Sequence, residues 1–145
     1  MKSLLLALHL IFVGVWLGCV ITEALFERAL LGKGREQELI LAVLHKRVDV
    51  FVEVPAFMVV LITGGFLLSG ANISLVLKIK IAVALVAIAA NAFCVFLVFK
   101  RSAHACVGNW QAFEQTDSIQ HKVGAVVLLG ILISLCMGLY LYAGA

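Results

Sequence analysis

Four long apolar segments restrict what this chain can fold into. They run over approximately residues 3–26, 48–70, 73–99 and 123–142. Each is long enough to cross the ~30 Å hydrocarbon core of a bilayer as an α-helix. Backbone N–H and C=O groups must be paired within the protein in lipid, so four consecutive spans predict an up-down-up-down bundle. We therefore expect an all-α integral membrane four-helix bundle that forms one domain over residues 1–145.

The composition leaves no room for a soluble domain beside this bundle. Hydrophobic residues make up 64% of the chain and charged residues 13%, which is far from the average of soluble proteins. No segment remains for nucleotide binding, so any chemistry must come from side chains within the bundle. The four cysteines have no CxxC spacing and are expected to be small core residues.

Basic residues are concentrated in the segments that follow the first and third spans, 27–47 and 100–122. These segments hold Arg28, Lys33, Arg35, Lys46, Arg47, Lys100, Arg101 and Lys122. The positive-inside rule predicts that both are cytoplasmic loops of a multi-pass plasma (inner) membrane protein, with both termini outside. A short amphipathic helix is expected over about 36–45, between spans one and two. A tight turn is expected at residues 69–72.

A polar stripe runs along the first span. Its members follow one another at steps of 4, 3, 4, 3 and 4, which places them on one helix face: His9, Val13, Trp16, Val20, Glu23 and Glu27. The rest of this span is almost entirely apolar. The stripe is therefore predicted to point toward partner helices or a site, with Trp16 between its two polar ends as a packing or cofactor-edge contact.

His9 and Lys80 are predicted to lie at the same depth in the bundle. Each stands seven or eight residues from the membrane edge on the side of the N-terminus, roughly 10 Å deep at ~1.5 Å per residue. At this depth span two offers Gly64 and span four offers Gly138, which leaves a slot for a flat macrocycle. No carboxylate occurs at this level, and this favours a ligand or cofactor as the partner of Lys80. The alternatives are a hydrogen-bonded core histidine and a lysine that extends to the membrane surface.

A second polar level is predicted at the opposite end of the spans. It gathers Glu23, Glu27, Asp49, Glu53, Asn91 and His121. Such a set suits a divalent metal, with Glu23, Glu53 and His121 as candidate ligands, although the Glu-x-x-His motif of bundle di-iron sites is absent. The alternative is a set of interfacial salt bridges. Glu53 is the best candidate for a proton or substrate site, because Pro55 frees backbone carbonyls nearby.

Three short motifs resemble a known family. They are Leu8-His9-Leu10-Ile11 leading to Val15-Trp16, then residues 54–60 (Val-Pro-Ala-Phe-Met-Val-Val), then residues 77–82 (Leu-Lys-Ile-Lys-Ile-Ala). Together they look like the HemJ-type protoporphyrinogen oxidases, which belong to a wider group with CopD-like membrane proteins. The resemblance implies a haem b whose iron is bound by His9 and Lys80, with Trp16 and Gly64 beside it.

The resemblance also implies a reaction and a set of partners. Protoporphyrinogen IX would be oxidised to protoporphyrin IX, with electrons passed to the membrane quinone pool. The catalytic candidates Glu53 and Asn91 come from the second polar level and not from the resemblance. The expected partners are the lipid bilayer, a porphyrin or haem, a quinone and further copies of the chain, and no nucleic acid.

The chain departs from that family in its third span. The family carries a Tyr-His-His-Tyr-Cys-like run where this sequence has Ala90-Asn91-Ala92-Phe93-Cys94. Two other functions therefore stay open. One is CopD-like metal handling, with copper near His9 and Cys136 or a divalent ion at the second polar level. The other is a non-catalytic haem or membrane subunit of a larger complex.

Overall fold

The computed structural model describes residues 2–69 and 73–143, and in these ranges the regular structure is entirely helical. The helices are α1 (Lys2–Leu30), α2 (Arg35–Val48), a π-helical segment (Asp49–Glu53), α3 (Val54–Leu68), α4 (Leu75–Cys106) and α5 (Trp110–Ala143). The two helices α2 and α3 join through the π-helical segment into one helix of 34 residues. The described residues thus form four long helices, each apolar enough to cross a membrane. The predicted all-α four-helix membrane fold is confirmed.

The helices are longer than the apolar spans that were predicted from the sequence. The prediction of a loop over 100–122 is wrong, because α4 continues to Cys106 and α5 begins at Trp110. Three side chains of this polar segment, Arg101, Phe113 and Asp117, are buried, so the helices keep packing beyond their apolar parts. Segment 27–47 is also largely helical, and the amphipathic helix predicted over 36–45 is confirmed as part of α2. The turn predicted at 69–72 lies largely outside the described residues.

The helix α2 turns its polar side inward. Glu38, Leu41, Ala42 and His45 are buried, whereas Ile40 is 52% exposed. The buried face is thus half polar, unlike the largely apolar buried face of an amphipathic helix on a soluble protein. The acidic and imidazole groups on this face meet partners inside the bundle.

The bundle consists of two helix pairs. α1 packs chiefly on α3, and α4 packs most extensively on α5, while α2 makes most of the contacts that link one pair to the other. The main core lies between the pairs and includes Val13, Trp16, Ala56, Phe57, Val60, Ala87, Val127 and Ile131. A smaller core at the α2 end comprises Ala42, Ala105 and Phe113.

Close contact between α4 and α5 depends on Gly130. A Cβ atom at this position would lie 2.7 Å from Cβ of Ala87, and small residues are what allow transmembrane helices to approach so closely. We expect Gly130→Leu to lower the free energy of unfolding by about 1–3 kcal/mol, because the larger side chain forces the helices apart. Unfolding of the purified protein in detergent measures this change.

Gly65 provides the matched control for that substitution. A Cβ at Gly65 meets nothing within 4 Å, so Gly65→Leu should be at least as stable as the wild type, since glycine inside a helix costs about 0.5–1 kcal/mol. Equal destabilisation by the two substitutions would show that the Gly130 contact does not hold the helices together.

Candidate functional site

His9 is held in one orientation by α3. Its Nδ1 atom lies 2.9 Å from Oγ1 of Thr63. The Thr63 hydroxyl donates its single hydrogen to the backbone carbonyl of Val59, 2.6 Å away, so its oxygen accepts from the N–H of His9. Neutral His9 therefore carries its hydrogen on Nδ1 and keeps the lone pair of Nε2. Metal-binding histidines have this arrangement, in which one ring nitrogen donates to the protein and the other binds the metal.

Glycines make room for His9 and for Lys80. A Cβ at Gly64 would lie 3.3 Å from Cε1 of His9, and a Cβ at Gly138 would lie 3.0 Å from Cε of Lys80. The structure thus sets each side chain against the glycine that was predicted at its depth. Lys80 is half-buried and has no carboxylate partner within the described residues. Cys136, considered for copper, is exposed.

Trp16 closes the bundle between the two polar levels. It is 3% exposed, and its ring centroid lies 6.0 Å from that of Phe57. Its indole N–H donates to Oδ1 of Asn91 over 3.1 Å. This bond joins α1 to α4 in the middle of the bundle. Trp16 therefore packs in the core with its polar atom satisfied, as buried tryptophans usually do.

The second polar level forms a real cavity, which we call the carboxylate cavity. It has a volume of about 240 Å³, and its polar lining consists of Glu23, Glu27, His45, Asp49, Glu53, Asn91, Gln120 and His121. All six residues predicted at this level are in that lining. His45, expected only at the rim of this level, is part of the lining, and Gln120 is an addition from a segment that was expected to be a loop.

The π-helical segment aims Asp49 and Glu53 into this cavity. The residues His45, Asp49, Glu53 and Phe57 are all buried, and they follow each other at steps of four. In an α-helix, residues four positions apart differ by about 40° around the helix axis, so a long row at steps of four does not stay on one face. A π-helical turn contains more residues per turn and compensates for this rotation. The N–H of Val54 accordingly donates to the carbonyl of Asp49, five residues back.

Arg101 is a functional-site residue that the sequence reasoning missed. Its side chain is 0% exposed. Its Nη1 donates to Oε1 of Glu27 over 3.0 Å and also to Asp117, and its Nη2 lies 2.7 Å from Nδ1 of His45. One guanidinium thus joins α1, α2, α4 and α5. The available signal was helical spacing, because Asn91, Cys94, Val98 and Arg101 continue at steps of 3, 4 and 3.

His121 completes an electrically balanced group with Arg101. Its Nε2 lies 2.9 Å from Oε2 of Glu27, and its Nδ1 lies 3.0 Å from the backbone carbonyl of Asp117. Both partners are acceptors, so both ring nitrogens carry hydrogen and His121 is a cation. Two cations, Arg101 and His121, therefore stand against two carboxylates, Glu27 and Asp117.

His45, by contrast, is neutral. Arginine has only donors, so the guanidinium of Arg101 requires a lone pair on Nδ1 of His45. The amide Nε2 of Gln120, 3.5 Å from the same atom, can act as a second donor. The hydrogen of the His45 ring is then on Nε2, which lies 3.1 Å from Oε2 of Glu23. His45 presents an N–H to the cavity and no lone pair.

The remaining three carboxylates of the cavity have no cation beside them. Glu23, Asp49 and Glu53 are 7%, 1% and 3% exposed. Oε1 of Glu23 and both carboxylate oxygens of Asp49 also lack a hydrogen-bond partner among the described residues. The cavity is thus divided into a balanced half around Arg101 and a half whose three carboxyl groups have no cation beside them.

The metal ligand set predicted from the sequence is distributed over both halves. Glu23, Glu53 and His121 line the same cavity, but the compact groups with ligand-type atoms within 4.8 Å are Glu23–His45–Asp49 and Glu27–Asp117–His121.

Comparison with protein-family models, with curated proteins and with solved structures finds no match to this chain.

Proposed function

We propose that the chain is a haem-b-binding membrane oxidoreductase whose haem iron is held by His9 and Lys80. The observation that carries this proposal is the orientation of His9, whose Nδ1 donates to Thr63 and whose Nε2 keeps its lone pair. An imidazole nitrogen fixed in this way suits iron. Lys80 supplies the second nitrogen, since an ammonium without a carboxylate at this depth is costly and a neutral amine bound to iron is not.

Small residues let both proposed ligands lie close against the facing helices. His9 occupies the space that Gly64 leaves, and Lys80 occupies the space that Gly138 leaves. Apart from the contacts that α2 makes, few backbone contacts link the α1–α3 pair to the α4–α5 pair. A macrocycle between the pairs would contact Gly64, and Trp16 would border it on the side of the carboxylate cavity.

The proposed reaction follows from the resemblance to HemJ-type proteins. Protoporphyrinogen IX is oxidised to protoporphyrin IX, and the six electrons and six protons that it loses reduce three quinones to three quinols. A bound haem b supplies one-electron transfer between the two. Glu53 and Asn91 line the carboxylate cavity next to Trp16, and in this proposal they accept and orient the protons that are released.

The proposed setting is the plasma (inner) membrane, with the end of the bundle that holds α2 facing the cytoplasm. This assignment rests on the basic residues of segments 27–47 and 100–122 and on the positive-inside rule. The partners in this proposal are the lipid bilayer, haem or porphyrin, quinone and further copies of the chain. The mass of the purified particle tests whether the chain forms a homo-oligomer.

A pyridine haemochrome assay tests the proposal most directly. We expect protein purified from haem-replete cells to carry one haem b per chain and to show a reduced-minus-oxidised b-type spectrum. Colourless protein from the same cells would refute the proposal. Haem without oxidation of protoporphyrinogen would leave a haem subunit of a larger complex as the function.

A further inference from the structure

The uncompensated half of the carboxylate cavity has the composition of a cation site. Glu23, Asp49 and Glu53 come from two different long helices and are each at least nine-tenths buried. Buried carboxyl groups are ordinarily paired with a cation, bound to a metal or neutralised by a proton. Arg101 and His121 do not serve this purpose, because they already face Glu27 and Asp117.

A third helix contributes one unpartnered oxygen to the same cavity. Gln120 of α5 is 5% exposed, and its Oε1 has no hydrogen-bond partner among the described residues. This residue lines the same cavity as the three carboxylates. The amide oxygen of Gln120 carries no net charge. Crowding of acidic groups therefore does not explain why this oxygen has no hydrogen-bond donor. A cation bound to this atom would satisfy it, and Oε1 of Glu23 and both oxygens of Asp49 are further unpartnered oxygens of the same lining.

The available atoms select the class of cation. His45 contributes no lone pair, because Arg101 fixes its hydrogen on Nε2. The sulfur of Cys94 is engaged with the carbonyl of Gln120, 3.9 Å away. Only oxygens are then left as ligands, and all-oxygen sites suit hard cations such as Mg²⁺, Mn²⁺ and Ca²⁺ rather than copper or zinc.

We propose that Glu23, Asp49 and Glu53, together with the amide oxygen of Gln120, bind one hard divalent cation in the carboxylate cavity. Three carboxylates outweigh the charge of a divalent ion by one, and the N–H of His45 toward Glu23 offsets part of this excess. The volume of about 240 Å³ also leaves room for water, which hard cations usually retain as ligands. The site shares no residue with the haem site proposed at His9 and Lys80, but it includes Glu53, which the proposed reaction uses as a proton acceptor.

Titration with Mn²⁺ tests this site in the full-length protein. Protein in detergent is treated with a chelator at pH 7.5, desalted and titrated while electron paramagnetic resonance follows the signal of free aqueous Mn²⁺. We expect one Mn²⁺ to be retained per chain and to be displaced by excess Mg²⁺ or Ca²⁺. Asp49→Asn and Glu53→Gln should each weaken retention at least tenfold. Glu114→Gln, an exposed carboxylate on α5, should leave it unchanged.

A second measurement needs no variant. Mn²⁺ should raise the midpoint of thermal unfolding of the wild type, and the chelator should reverse the rise. In Asp49→Asn the metal-free protein should be at least as stable as the wild type, because one of the facing negative charges is gone, and Mn²⁺ should no longer stabilise it.

Two results would overturn the proposal. The first is a wild type that retains no Mn²⁺ at pH 7.5, which would mean that protons alone neutralise the three carboxylates. The second is equal retention by the wild type and Asp49→Asn. His9→Ala separates this site from the proposed haem site, since it should lose haem and keep Mn²⁺.

Discussion

Protein in which His9 is replaced by alanine is expected to contain no haem b. The substitution removes the one imidazole whose Nε2 lone pair is left free by a bond from Nδ1 to Thr63. In the proposed site Lys80 would then be the only protein ligand left for the iron, and one amine would hold it less firmly than two protein ligands. The haem-to-protein ratio from the pyridine haemochrome assay measures this loss.

Two further substitutions sharpen that result. Thr63→Val keeps the shape of the side chain and removes the oxygen that orients His9, so haem affinity should fall about 10- to 100-fold, as for other second-layer partners of metal ligands. Lys78→Met provides the control, because Lys78 is exposed two residues before Lys80 and should not affect haem. Full haem content in His9→Ala would exclude His9 as the ligand.

Replacement of Arg101 by methionine is expected to cause the largest loss of stability in the molecule. The substitution leaves His121 as the only cation beside Glu27 and the buried Asp117, and it removes the donor to Nδ1 of His45. Breaking a buried ion pair from one side costs about 3–5 kcal/mol. Chemical denaturation of the detergent-solubilised protein, followed by tryptophan fluorescence, measures the loss in free energy of unfolding.

Arg35 is a suitable control for Arg101. It also bridges two carboxylates, the buried Glu38 and the exposed Glu114, but its own side chain is 51% exposed, so water can replace part of its interaction with them. Arg35→Gln should therefore lower the free energy of unfolding clearly less than Arg101→Met does. If the two substitutions had equal effects, the pairing of Arg101 inside the bundle would not be what stabilises this end.

Much of the fold could be predicted because a membrane restricts the chain so strongly. Apolar length alone gave the four helices, and the fixed rise of an α-helix placed His9 and Lys80 each beside its glycine. The same counting brought Glu23, Glu53 and Asn91 to one level. These features depend on local geometry, which a sequence shows directly.

The parts that could not be predicted depend on partners that are distant in the sequence. Arg101 looked like a cytoplasmic charge, because a sequence does not show that Glu27 and Asp117 surround it. The hydrogen of His45 is placed by Arg101, 56 residues away, so its chemical role was hidden as well. The π-helical segment was also missed. The spacing of His45, Asp49, Glu53 and Phe57 at steps of four does not by itself show which helical turn becomes a π-helical turn.

The apolar layer around Trp16 has an electrical consequence. Trp16, Phe57 and Val60 are all buried between the carboxylate cavity and the level of His9, so water is excluded from this part of the bundle. A membrane potential falls mostly across the part of a protein that lacks water and mobile ions. A charge that passes through this layer would therefore experience much of the potential, worth about 2.3 kcal/mol per elementary charge for every 100 mV across the whole membrane. Electron or proton transfer between the two ends of the bundle would then depend on membrane voltage.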